Sequence, residues 1–286
     1  MEAVKTLGVV GAGTMGSGIA QLAAMHGIRV LLYDSQEGAI NRALSKIRER
    51  LMRAAERGQV ETGRIDEIMS HITESSLDDF GKADFIIEAV VEVMAIKKTV
   101  FEHLSHIVRP STVLASNTSS FSITELASVC TRPETVVGMH FFNPAPVMKL
   151  VEIVRGEDTV DTTVEQAQLL AQQMGKETIV VQKDTPGFVV NRILMPLFIE
   201  AMRILEEGVA SKEDIDKAVK LGLNHPMGPL TLADFTGLDV DLEVMDYLYN
   251  EFHDDRFAAP QVLRRLVRAG HLGKKSGRGF YHYSRK

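Results

Sequence analysis

Two residues able to move a proton, His140 and Glu152, stand on either side of the loop Phe141-Phe142-Asn143-Pro144-Ala145-Pro146. Imidazole titrates near neutrality, which suits it to act as general base or acid. A carboxylate against it would fix its tautomer and favour its charged form. His140 also ends a predicted strand, and α/β sheets present their ligands at strand ends. Two neighbouring strands joined by this loop could bring the two side chains together. Spacing alone leaves a second reading open, because a single histidine is more often structural.

Another set of residues is suited to binding. Gly11-Ala12-Gly13-Thr14-Met15-Gly16 follows the apolar run Thr6–Val10 directly and opens a helical segment. A bare Gly-x-Gly-x-x-Gly string is common. The strand–turn–helix context is what a phosphate cradle requires. Gly11 permits the tight turn, Gly13 lets the backbone approach a pyrophosphate, and Gly16 allows helix and strand to pack closely. The diphosphate would rest on the N–H groups at the positive end of the helix. Asp34 follows the second strand and can accept hydrogen bonds from both adenosine ribose hydroxyls. Its charge opposes a 2′-phosphate, so the expected cofactor is NAD, with NADP use left open. Asp34 could otherwise be a strand-end turn residue or a helix cap.

The elements that must position these groups alternate along the first 180 or so residues. Strands are predicted at Thr6–Val10, Ile28–Tyr33, Asp84–Val90, Val113–Ser116, Val136–His140, Leu150–Val154 and Ile179–Val181. A helix is predicted from Met15 to His26, and a long, charged, Ala-rich helical stretch precedes Asp84. Ile96, Val100, Leu104 and Ile107 repeat at helical spacing. Continuous apolar strands alternating with helices predict a doubly wound, mostly parallel α/β sheet of the Rossmann type.

The pattern changes after Asp184-Thr185-Pro186-Gly187. Phe188–Glu207 reads as one helix closed by Gly208, and Ser211-Lys212-Glu213-Asp214 resembles a capping box that starts another. Further helices are expected around Leu230–Phe252 and Gln261–Arg268. The expected division is a sheet domain over residues 1–184 and an all-helical C-terminal domain over 185–286.

A net charge of −6 argues against a nucleic-acid coat or a generally basic membrane binder. No apolar run approaches the ~20 residues that span a bilayer. The N-terminus, from Met1 through Val4-Lys5-Thr6-Leu7, lacks the features of a secretory signal. The single cysteine, Cys130, permits no internal disulfide and reads as a buried structural thiol. A cytoplasmic protein is expected. The nine histidines show no metal-ligand spacing, so no metal is expected. His225-Pro226-Met227-Gly228-Pro229 reads as a rigid turn between helices. Met15, Met94, Met139, Met148 and Met195 read as packing residues.

Several longer motifs carry a family resemblance. Ser116-Asn117-Thr118-Ser119-Ser120 is followed by His140-Phe141-Phe142-Asn143-Pro144-Ala145-Pro146-Val147-Met148-Lys149-Leu150-Val151-Glu152. Then come Lys183-Asp184-Thr185-Pro186-Gly187-Phe188-Val189-Val190-Asn191-Arg192 and Gly273-Lys274-Lys275-Ser276-Gly277-Arg278-Gly279-Phe280-Tyr281. Together they resemble the short-chain L-3-hydroxyacyl-CoA dehydrogenase family over essentially the whole chain, with members acting on four-carbon acyl groups the nearest likeness.

The resemblance implies that His140 is the base and Glu152 its orienting carboxylate. It implies that Ser119 hydrogen-bonds the reacting oxygen and the cofactor, and that Asn191 helps hold the acyl group of a short-chain acyl-CoA substrate. It further implies cofactor contacts from Glu92, Lys97, Asn117, Asn143 and Lys275, and a homodimer. On residue type alone those five read differently: Lys97 and Lys275 as solvated lysines, Asn117 and Asn143 as turn residues, Glu92 as a helix cap. Within the basic stretch Lys46, Arg48, Arg50, Arg53 and Arg57, Arg50 and Arg57 align with family positions that hold coenzyme A. A solvated amphipathic face accounts for that stretch as well. Three alternatives stand beside this one: a dehydrogenase for another hydroxyacid, a non-catalytic NAD-binding structural protein similar to the related lens crystallin, and a nucleotide-sensing module.

Overall fold

Runs rich in Val, Ile and Leu form the strands of the first unit. In the computed structural model, which describes residues 3–284 and so leaves Met1 outside, the chain divides into two compact units, Met1–Thr185 and Pro186–Lys286. The first holds an eight-stranded sheet made of β1 (Thr6–Val10), β2 (Arg29–Tyr33), β3 (Ile72–Glu74), β4 (Phe85–Glu88), β5 (Val113–Ser116), β6 (Val136–Phe141), β7 (Leu150–Arg155) and β8 (Glu177–Val181). Their spatial order is β3-β2-β1-β4-β5-β6-β7-β8. Every neighbouring pair is parallel except β6 and β7. This is the expected doubly wound α/β sheet.

Helices α1 (Thr14–Met25), α2 (Ala39–Glu56), α3 (Ile65–Ser70), α4 (Met94–Ile107), α5 (Ile123–Ala127) and α6 (Asp161–Gln173) connect the strands. Residues of α1, α2, α3 and α6 share one apolar core with the sheet. The stretch before Asp84 is not one helix. Gly58, in the left-handed region at φ 70°, ends α2, and β3 then adds an edge strand through Val30↔Ile72. Three residues are too few to show a period. α4 forms where expected but buries Lys97, Phe101 and Leu104, while Ile96 is exposed. A buried charge occupies part of its inner face, so apolar spacing alone misplaces that face.

The second unit contains α7 (Val190–Glu206), α8 (Lys212–Gly222), α9 (Pro229–Thr236), α10 (Leu238–Phe252) and α11 (Gln261–Arg268) around its own apolar core. Left-handed backbone at Gly187 and Phe188 delays α7 until Val190. The Ser211 hydroxyl accepts the Asp214 N–H at the start of α8, but Asp214 returns to that hydroxyl rather than to the backbone as a full capping box would. Gly237, at φ 107°, divides the predicted Leu230–Phe252 helix into α9 and α10. Residues 223–228, including His225-Pro226-Met227-Gly228, form the non-helical link between α8 and α9. Met139 and Met195 lie in the cores as expected, whereas Met148 is 42% exposed on a loop.

Buried carboxylates hold the C-terminal tail of this unit. Asp234 accepts the Phe280 and Tyr281 N–H groups and the Tyr283 hydroxyl. Asp216 accepts from Leu230, Thr231 and the Tyr281 hydroxyl. Asp241, 2% exposed, has the Thr236 hydroxyl as a partner. Burial pushes its carboxyl up to about 8, against the opposing hydrogen bond from Thr236. The folded chain therefore keeps a proton that the unfolded chain releases near the ordinary carboxylate value. The stability due to this group is complete at acid pH and is lost as pH rises toward 8. Asp241→Asn should therefore gain about 1–3 kcal/mol on the natural chain between pH 5 and pH 8.5, read from paired denaturant curves. A constant difference across that range would contradict a protonated Asp241.

Candidate active site

β1 is where the strand order reverses, with β2 on one side and β4 on the other, and such a point opens a crevice at the strands' carboxyl ends. The glycine-rich segment leaves β1 there. Gly11 has φ 103°, and a Cβ on it would lie 2.5 Å from the Ala89 carbonyl oxygen. A Cβ on Gly16 would lie 1.8 Å from the Gly11 carbonyl oxygen, so α1 can start this close only with glycine. At Gly13 a Cβ would meet nothing within 4 Å. Gly13 caps α1 with no side-chain hydrogen bond, and the first turn, which begins at Thr14 and Met15, carries no acidic residue. The helix N–H groups thus face open space beside bare backbone. These residues fit a pyrophosphate.

Asp34 stands one residue beyond β2. Its carboxylate accepts the Ala12 N–H at 2.7 Å and the Gln36 N–H at 2.8 Å. It is joined to the glycine-rich loop, and each oxygen retains a further lone pair for a ribose hydroxyl.

At the ends of β4 and β5, buried charge replaces bare backbone. Glu88, the last residue of β4, is fully buried and accepts from Lys97 Nζ at 2.8 Å, the Val90 N–H at 2.7 Å and the Ser116 hydroxyl at 2.7 Å. Lys97, 1% exposed, also meets Glu92 at 3.0 Å. Burial opposes its charge, but Glu88 and Glu92 outweigh burial and hold its ammonium above the ordinary lysine range. Glu92 further accepts the Thr118 hydroxyl and the Ser119 N–H. Lys97 is therefore not a solvated surface lysine. Nor does Glu92 cap α4, whose N-cap is Val93.

β6 and β7 pair antiparallel with His140 directly opposite Glu152. His140 Nδ1 lies 2.7 Å from Glu152 Oε2, both residues are buried, and the Phe142 ring packs on the imidazole with centroids 4.5 Å apart. A buried carboxylate at that distance accepts Nδ1–H and so assigns proton transfer to Nε2. Asn117, just past β5, accepts the Phe141 N–H at 3.0 Å through its side-chain oxygen, locking the turn that carries Ser119 to the end of the histidine strand. Asn143 is exposed on the loop after His140. That loop is pinned by Lys176, a buried residue whose ammonium donates to the Ala145 and Met148 carbonyls at 2.7 and 2.8 Å.

The structure thus gathers Gly11 to Gly16, Asp34, Glu92, Lys97, Asn117, Ser119, His140 and Glu152 along one edge of the sheet. Arg50 and Arg57 do not converge: Arg50 reaches the Ser17 hydroxyl on α1, while Arg57 stands exposed at the end of α2. Arg48 and Arg53 are paired with Asp66 and Glu49. In the second unit, Asn191 lies in the first turn of α7 and Lys275 pairs with Asp239. Sequence reasoning missed Glu88, Ser116, Thr118 and Lys176. A glutamate inside the run Phe85–Val90 was a signal, because a charge in a buried strand requires a partner. Nothing near Lys176 marks it. Half-buried Cys130 has its thiol pushed up to about 12 by burial, which keeps it inert.

Among the described residues, no three metal-ligating side chains gather in a way that could hold a metal ion. Comparison with known proteins agrees with this geometry. Residues 6–185 match the family described as 3-hydroxyacyl-CoA dehydrogenase, NAD binding domain, and residues 187–283 match its C-terminal domain. A probable 3-hydroxybutyryl-CoA dehydrogenase of Bacillus subtilis is 48% identical, covering 99% of both chains. A 3-hydroxybutyryl-CoA dehydrogenase of Clostridioides difficile is 47% identical over 98% of this chain and 99% of its own. The crystal structure of (S)-3-hydroxybutyryl-CoA dehydrogenase from Ralstonia eutropha superposes with a TM-score of 0.94 at 45% identity, covering 99% of this chain and all of that one. With both domain matches in chain order and relatives alike over nearly their full length, this chain belongs to the 3-hydroxyacyl-CoA dehydrogenase family.

Proposed function

We propose that the chain interconverts (S)-3-hydroxybutyryl-CoA and acetoacetyl-CoA with NAD(H). The observation that carries this reading is the buried His140–Glu152 pair, held at 2.7 Å on the sheet edge that also bears the phosphate cradle. His140 Nε2 takes the proton from the 3-hydroxyl during oxidation and returns it to the ketone oxygen during reduction. Glu152 holds Nδ1–H and stabilises the imidazolium that forms between these events. The Ser119 hydroxyl donates to the substrate oxygen, where negative charge gathers as the proton leaves. NAD supplies the hydride acceptor when bound. Gly11, Ala12, Gly13, Thr14, Met15 and Gly16 cradle its pyrophosphate, Asp34 its adenosine ribose, and Glu92, Lys97, Asn117 and Asn143 its nicotinamide half.

Asn191 is assigned to the acyl group and Lys275 to the cofactor on the matched motifs. Arg50 and Arg57 are assigned to coenzyme A on the same ground, each as a separate phosphate contact. The sheet domain is the cofactor-binding part and the helical domain the substrate and dimerisation part. A homodimer through the helical unit is supported by exposed Ile193, Val209, Leu221 and Leu223. No helix among the described residues is long and apolar enough to cross a membrane. A cytoplasmic location fits the lone, protonated thiol.

His140→Gln should keep NADH binding while the rate of acetoacetyl-CoA reduction falls ~100-fold or more, as loss of a general acid–base group requires. Near-natural turnover in the folded variant would refute the assignment. Asp34→Ala should weaken NAD binding and shift the NADP/NAD preference toward NADP by about tenfold, because the carboxylate that repels a 2′-phosphate is gone. An unchanged preference ratio would remove Asp34 from the cofactor site.

A further inference from the structure

Glu88 and Glu92 place two carboxylates around the one ammonium of Lys97. Glu88 accepts from an ammonium, an amide and a hydroxyl, and Ser116, which supplies that hydroxyl, itself accepts the Thr118 N–H. Glu92 accepts from the same ammonium, the Thr118 hydroxyl and the Ser119 N–H. Every polar contact of both carboxyl groups is thus with a donor, the pattern of two ionised carboxylates. Among the described residues no other cation pairs with either. Two negative charges against one positive leave the cluster at −1.

A purely structural arrangement would not need this surplus. Glu88 alone neutralises the buried lysine, and Glu92, whose side chain is 38% exposed, adds a second negative charge that the lysine does not require. The surplus also lies close to the chemistry. Glu92 holds the Ser119 backbone, and Asn117 joins the same turn to the residue after His140. Resting on the functional reading above, hydride transfer requires the nicotinamide ring to meet the substrate carbon whose oxygen His140 and Ser119 hold. The ring is cationic in NAD+ and neutral in NADH.

We propose that Glu88, through the Glu88–Lys97–Glu92 cluster, is an electrostatic positioning residue that makes this site prefer the oxidised, cationic nicotinamide over the reduced one. The preference comes from net charge at a partly buried position, where screening is weaker than in bulk water. The cluster thereby biases the pair of cofactor forms, a property separate from how tightly either is held.

The test is the ratio of the NAD+ and NADH dissociation constants, measured by NADH fluorescence titration and NAD+ competition at fixed ionic strength. Glu88→Gln neutralises the cluster and should shift the ratio against NAD+ by about threefold or more. Glu92→Gln removes the same charge from a more exposed side chain and should shift it the same way, which keeps the test alive if Glu88→Gln fails to fold. The double variant Glu88→Gln/Lys97→Met restores a charge of −1 and should return the ratio to within about twofold of the natural one. Equal weakening of both forms in the single variants would overturn the proposal and leave Glu88 a structural residue. A natural chain that bound neither form would overturn the functional reading and this inference with it.

Discussion

His140 is useful only while β6 and β7 keep their register. Antiparallel pairing places His140 opposite Glu152, on the same face of the pleat. A slip of one residue would turn Glu152 to the opposite face and bury its charge among apolar side chains. Losing one partner of a buried pair costs about 3–5 kcal/mol, so the pairing that builds the site also penalises its own misregister. β7 and β8 run opposite to the other six strands, and the loop that reverses the chain between β6 and β7 is the one pinned by Lys176. A parallel strand at that position would require a long crossover and could not present a carboxylate so soon after the histidine.

The remaining polar groups extend from that pair by short steps. Asn117 ties the turn after β5 to the end of β6, Glu92 holds the same turn from the start of α4, and Glu88 anchors Lys97 from β4. Three adjacent strand ends are thereby joined by charged or amide side chains instead of flexible loop contacts. Such a network is rigid because each buried member has its partners, and it is costly to disturb for the same reason. The glycine-rich turn works in the opposite way. It recognises through missing side chains, leaving backbone N–H groups open at Gly13 while Gly11 and Gly16 bring strand and helix close together.

Much of this was legible in the sequence because it rests on local pattern. Apolar runs located seven of the strands, and the glycine string with Asp34 identified the cradle from spacing and context. The pairing of His140 with Glu152 was only suggestive from spacing, since a strand's direction is not written in its residues. β3 was too short to show a period, and Gly237 lay unmarked inside an apparent single helix. Lys97 was misjudged on residue type because its partners come from β4 and the segment before α4, not from its own helix. Arg50 and Arg57 were grouped by family likeness, yet only Arg50 reaches α1, through the Ser17 hydroxyl.

The central claim is that this sheet edge reduces a 3-keto acyl-CoA with hydride from NADH. The most direct measurement is steady-state loss of NADH and NADPH absorbance, in separate reactions, with acetoacetyl-CoA as substrate. The account predicts rapid loss with NADH and a slower one with NADPH. No loss with either, from folded protein that binds NADH, would contradict it.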